Sequence, residues 1–153
     1  MIGRFRRLLR SFFPALCQPD DAWALQHLSP EEAPLYRAMD VRDREHALEV
    51  ARTLLSRHPD APGYAVRAAL LHDSGKALRP YYPLERILAG LYSPKVPAEP
   101  LKGGLYGAWQ VRRHHPEYAA RHIKDERVAA LVLEHHRPQS LWGQRLHEAD
   151  QEF

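Results

Sequence analysis

The chain has 153 residues, 44% of them hydrophobic and 27% charged, which is enough for one domain with a sizeable core and too little for two. No run of eighteen uncharged apolar residues occurs, so no transmembrane helix is expected, and 13 prolines and 8 glycines fall short of a low-complexity composition. The formal charge of +3 comes from 22 lysines and arginines spread along the chain, so no nucleic-acid partner is expected; the ten histidines stand out more, since imidazole is the commonest metal ligand and titrates nearest neutral pH.

Residues 1–27 read as a basic amphipathic N-terminal segment. On a helix, Ile2, Phe5, Leu8, Leu9, Phe12 and Phe13 share one face, while Arg4, Arg6, Arg7 and Arg10 take the other. Arg10 interrupts the apolar run and no small-residue cleavage site follows, so the segment reads as retained rather than as a signal peptide. Two roles fit it: packing of the apolar stripe on the domain, or peripheral contact of residues 1–13 with an anionic membrane surface. The single cysteine, Cys17, allows no internal disulfide and fits a reducing, cytoplasmic location.

Strand signals are nearly absent from the remainder, residues 28–153, whereas helical stripes with recognisable starts recur, so the fold is expected to be all-α. Ser29-Pro30-Glu31-Glu32 starts a helix to about Met39, with a cap, a proline at the first helical position and a glutamate three residues after the cap. A second helix spans about Val41 to Ser56, burying Ala47, Val50, Ala51, Leu54 and Leu55, and a short apolar one runs from Tyr64 to Leu71. Leu84 to Tyr92 is a further helix, followed by a proline- and glycine-rich loop from Ser93 to Gly104. Pro116 is expected to open a helix to about Lys124, Asp125 to cap one through His136, and Ser140 to cap the last.

Several polar residues fall on faces that should be apolar. His46 lies four residues before Val50 and eight before Leu54; His72 and Asp73 continue the rows of Ala68 and Ala69; His135 and His136 extend the stripe of Val128, Leu131 and Val132; Asp150 follows Leu146 by four. A carboxylate so placed costs several kcal/mol unless it is paired or ligated. One divalent cation would satisfy all of these groups together, and imidazole with carboxylate, without thiolate, suits a catalytic ion rather than a structural zinc.

In this order, His46, then His72-Asp73, then Asp150, the sequence resembles the HD superfamily of metal-dependent phosphohydrolases, over about Leu28 to Asp150, with extra histidines of the HD-GYP and YqeK-like type. The resemblance rests also on Glu45-His46-Ala47-Leu48-Glu49-Val50-Ala51, on Ala69-Leu70-Leu71-His72-Asp73-Ser74-Gly75-Lys76, on His114-His115-Pro116-Glu117 and on the pair His135-His136. It implies a helical bundle in which His46, His72, Asp73 and Asp150 ligate one ion, and in which Asp73, His115, His135 and His136 serve a second if one binds. The cofactor would be one or two ions of Mn, Fe, Ni, Mg, Co or Zn. His114 is expected to be exposed, just outside the helix opened by Pro116, and His27, His58, His122 and His147 have surface, turn or helix-face explanations.

The implied chemistry is hydrolysis of a nucleotide or other small phosphoester by metal-activated water, with Asp73 at the catalytic centre. Lys76 is a candidate for reaching a phosphate oxygen, and Arg112, Arg113 and Arg137 are candidate phosphate clamps. Tyr81 and Tyr82 are candidates for stacking on a base. After His136 the chain reads Arg137-Pro138-Gln139-Ser140, without the Gly-Tyr-Pro of cyclic-dinucleotide phosphodiesterases, and after the His-Asp pair it lacks the acidic pair expected of alarmone hydrolases. Two other readings stand beside the hydrolase: a non-catalytic metal- or nucleotide-binding regulatory module, and a di-iron oxygenase. The oligomeric state is not legible.

Overall fold

The computed structural model describes residues 13–79 and 82–153; the amphipathic stripe, apart from its last residue Phe13, which is exposed, and the stacking candidate Tyr81 lie outside the described residues. Among those described, eight α-helices and no strand are present: α1 (Asp21–His27), α2 (Ala33–Arg37), α3 (Val41–Arg57), α4 (Gly63–Leu71), α5 (Pro83–Leu91), α6 (Gly104–Ala120), α7 (Glu126–Glu134) and α8 (Leu141–Asp150). Short 3-10 turns occupy Pro14–Leu16 and Ser74–Leu78. The all-α expectation holds.

Most helix starts follow from a side-chain cap. Asp20, Asp40, Asp125 and Ser140 accept from the backbone N–H of Trp23, Arg42, Arg127 and Gly143, filling donors that the first turn leaves open. Ser29 and Glu32 also bond reciprocally, as their spacing predicts. The helix expected from there to Met39 is nevertheless shorter, because Pro34 has no N–H to give the carbonyl of Pro30; a turn fills residues 30–32 and α2 covers only Ala33–Arg37.

The larger correction concerns Pro116. It does not open a helix; it sits inside the seventeen-residue α6, most of which carried no helical expectation. Proline leaves the carbonyl of Arg112 without its usual donor, and the ring nitrogen Nδ1 of His115 supplies the replacement at 3.1 Å. His114 accordingly lies within α6, half-buried, against the carbonyl of Val96 at 2.8 Å, rather than outside a helix start.

α4 is the centre of the bundle. Ala65, Val66, Ala68, Ala69, Leu70 and Leu71 are all buried, and α3, α7, α1 and α8 pack around them. A run without an outward polar face has no other stable location in a small domain. A second, smaller apolar cluster of Ala89, Ala108, Val111 and Tyr118 joins α5 to α6. The long loop before α6 is fastened down by Gln110, fully buried, which donates to the carbonyls of Pro97 and Pro100 and accepts from the N–H of Lys102.

Candidate metal centre

The end of α4 delivers the first part of the site. His72 caps that helix and Asp73 follows it, both almost wholly buried at 1% and 2% exposure, because they continue a helix buried on every side. The chain then tightens into the 3-10 turn Ser74–Leu78, which lies against α6. Gly75 makes this approach achievable: a Cβ there would sit 2.0 Å from the carbonyl oxygen of His115. The close contact puts Asp73 Oδ1 3.2 Å from His115 Nε2.

Three further elements, α3, α8 and the turn after α7, complete the cluster. His46 projects from the buried face of α3, and its Nε2 lies 2.9 Å from Asp150 Oδ1 at the end of α8. His72 Nε2 is 3.5 Å from Asp73 Oδ2 and 3.7 Å from that same Asp150 oxygen. On the other side of Asp73, His136 Nε2 stands 3.2 Å from His115 Nε2. His135 is fully buried and fills the space between the two groups. The ligating atoms form three overlapping sets, each within 4.8 Å: His46, His72 and Asp150; His115, His135 and His136; and His72, Asp73 and His135. All seven metal candidates read from the sequence are therefore brought together, and Asp73 offers one oxygen to each side.

The helix containing His135 and His136 was expected to reach them, but α7 ends at Glu134 and the pair lies in the turn beyond. A turn can aim two consecutive rings at one place, which a helix, advancing about 100° per residue, cannot do. Glu134 ties this turn to the next helix by accepting from the N–H of Gln139 and from the Ser140 hydroxyl. His147, placed in the background by its sequence position, lies with Nδ1 2.7 Å from the carbonyl of His135 and so holds the turn from α8.

Hydrogen bonds fix which ring nitrogen faces the site. Nδ1 of His72 donates to the carbonyl of Ala69 at 2.8 Å, that of His135 to Val132 at 2.6 Å, and that of His115 to both Val111 and Arg112 at 3.1 Å. A carbonyl oxygen only accepts, so the proton is on Nδ1 and each Nε2 presents a lone pair inward, the usual arrangement of metal-ligating histidine. Nε2 of His72 and of His135 are buried with no hydrogen-bond partner. Two orphaned acceptors beside two carboxylates are costly as they stand and are what a divalent cation satisfies, so the residues fit the metal that the resemblance implies.

The protonation states agree. Burial would raise the Asp73 carboxyl, but Lys76, His72 and His115 hold it well below the ordinary carboxylate range. For Asp150, burial is likewise overcome, first by the hydrogen bond from His46, which holds the carboxyl below the ordinary range. Burial pushes His115 and His135 down, and brings His136 down to about 4, with His115 beside it adding to the effect. Anionic carboxylates and neutral imidazoles are the ligating forms of these groups.

The remaining candidates have varied positions. Lys76 Nζ bonds Asp73 Oδ2 at 2.6 Å, so its tie to the site is through that carboxylate. Arg112, Arg113 and Arg137 are exposed, with the Arg112 guanidinium near Gly90 of α5, and Tyr82 is 75% exposed at the start of α5. The sequence offered no sign of the paired Asp43 and Arg86, whose two-pronged contact at 3.1 and 2.7 Å fastens α5 to the start of α3 beside Lys76. Their separation of 43 residues leaves no local pattern, and only the fold brings the first turn of α3 against α5.

A helical bundle that gathers five histidines and two aspartates around one shared carboxylate defines a metal-binding protein of the His-Asp type. The HD domain family matches residues 44–151, more than two thirds of the chain, and the chain belongs to that family. Members of the HD domain are metal-dependent phosphohydrolases as a class and bind divalent metals. No curated protein and no solved structure matches the chain significantly.

Proposed function

We propose that the chain is a cytoplasmic phosphohydrolase of the HD family that cleaves a nucleotide or other small phosphoester with two divalent ions. The observation that carries this reading is the shared carboxylate: Asp73 has one oxygen near His115 and the other near His72, with three further imidazoles and Asp150 completing the two sides. His46, His72, Asp73 and Asp150 would hold one ion; Asp73, His115, His135 and His136 would hold the other. Such ions acidify a water molecule and offset the charge that builds on phosphoryl oxygens.

The protein residues supply orientation and charge. The carbonyls of Ala69, Val111, Arg112 and Val132 hold three imidazoles in the ligating tautomer. Lys76 keeps Asp73 ionised, and a substrate phosphate arriving beside it would draw on the same ammonium. His136 is the exposed member of the cluster, and Arg137, next to it in the chain and also exposed, is the candidate clamp for a substrate phosphate.

Metal analysis of the purified protein, joined to a screen of nucleotides and phosphomonoesters with Mn, Mg, Ni, Co or Fe added in turn, tests the reading. The protein should contain a divalent metal and release phosphate or a nucleotide product, and Asp73→Ala should lose both properties. Full turnover in that variant would refute the mechanism.

A further inference from the structure

α5 has its polarity reversed relative to an ordinary surface helix. Its two charged side chains are spent inside the fold: Glu85 accepts from Arg79 at 3.1 Å and from the N–H of Tyr82, and Arg86 grips Asp43. Ala89, fully buried, is its contact with α6. Leu84, Ile87, Leu88 and Leu91, one helical face by spacing, are left outside at 66%, 40%, 41% and 80% exposure. Tyr82 and Tyr92 flank the stripe at either end, exposed by 75% and 66%. The exposed side of α5 therefore carries no charge, and an apolar patch of this kind marks a surface that something covers.

What covers it is indicated by size, ends and charge. A nine-residue helix is only about 13 Å long, too short on its own for the roughly 800 Å² per partner of a stable protein interface. Tyrosines bordering a leucine stripe match the boundary between hydrocarbon and headgroups. Positive charge borders the patch: the Arg112 guanidinium lies by the exposed Gly90 of α5, and Lys95, four residues after Leu91, is exposed. Of the exposed acids on this part of the chain, Glu99 is paired with Arg121.

We propose that the outer face of α5 docks on an anionic lipid surface, its leucines entering the interface while the basic rim meets the headgroups. The proposal does not depend on the reaction assigned to the metal centre.

The test is co-flotation of the full-length protein with vesicles of phosphatidylcholine alone or containing phosphatidylglycerol. The protein should float with the anionic vesicles, less so at high salt, and Leu84→Glu with Leu91→Glu should cut the bound fraction roughly tenfold or more. Helical circular dichroism and metal content should not change; if the glutamates disturb folding, Leu84→Ser with Leu91→Ser serves the same purpose. Failure of the unaltered protein to float, or equal flotation of the variant, overturns the proposal. So does a dimer by light scattering that the variant converts to monomer without any lipid dependence, which would assign the face to a second copy.

Discussion

Replacing Gly75 with alanine tests how the site is assembled without touching a ligand. The added Cβ would lie 2.0 Å from the oxygen and 2.8 Å from the carbon of the His115 carbonyl, and 3.0 Å from the Ala119 nitrogen. All three atoms are backbone, so no side-chain rotation relieves the clash. To reach even 3.0 Å the 3-10 turn must retreat from α6 by about 1 Å, and the 3.2 Å approach of Asp73 to His115 opens to roughly 4 Å. Overpacking of this kind costs about 3 kcal/mol, which for a chain of this size lowers the melting temperature by roughly 6–12 °C. Metal binding should weaken as well: with Asp73 drawn away from His115, titration of the metal-free protein should show one ion retained and the other weakened by a factor of about ten to a hundred, about 1.4–2.7 kcal/mol. Calorimetric melting and metal stoichiometry read the two effects separately. A variant that melts with the unaltered protein and binds the same number of ions with the same affinity would refute the reasoning.

The metal-free protein should lose stability on mild acidification. His115, His135 and His136 are held neutral below their ordinary value, so from about 6.5 downward the unfolded chain takes up protons that the folded chain refuses, until the pH passes the folded value, about 4 for His136. Below that, protonation of Asp73 and Asp150, both held low when folded, removes their contribution as well. Melting temperature against pH should therefore fall from pH 6.5 to pH 4, and a flat profile over that interval would contradict the buried, neutral cluster. Arg86→Ala, which strands the buried Asp43 carboxylate, should cost about 3 kcal/mol by denaturant titration, and Asp43→Asn added to it should recover part of the loss.

The main lines of this protein are local, and local features are legible. Hydrophobic spacing marks α3, α4 and α5, caps mark α7 and α8, and a histidine or aspartate at a position whose helical neighbours are apolar has to face inward whatever the topology, whereas α1, inside residues 1–27, was not foreseen. That is why His46, His72, Asp73, His135 and Asp150 could be named from the chain alone. Pro116 misled because a proline beside no clear stripe looks like a start; only the fold shows that His115 replaces the missing donor and allows α6 to continue.

By itself the sequence determined the all-α class, the candidate ligands and the kinship those residues express. The tertiary structure decided how the ligands divide, with Asp73 between two groups, because that depends on the contact of Gly75 with α6 forty residues later. It also decided the tautomers, through carbonyls in the turns preceding His72, His115 and His135, and the link from Lys76 to Asp73. Last, it decided which side of α5 faces out. Amphipathic spacing shows that a helix has two faces; which one the core takes is settled by Asp43 and Arg79, and here they claim the charged one.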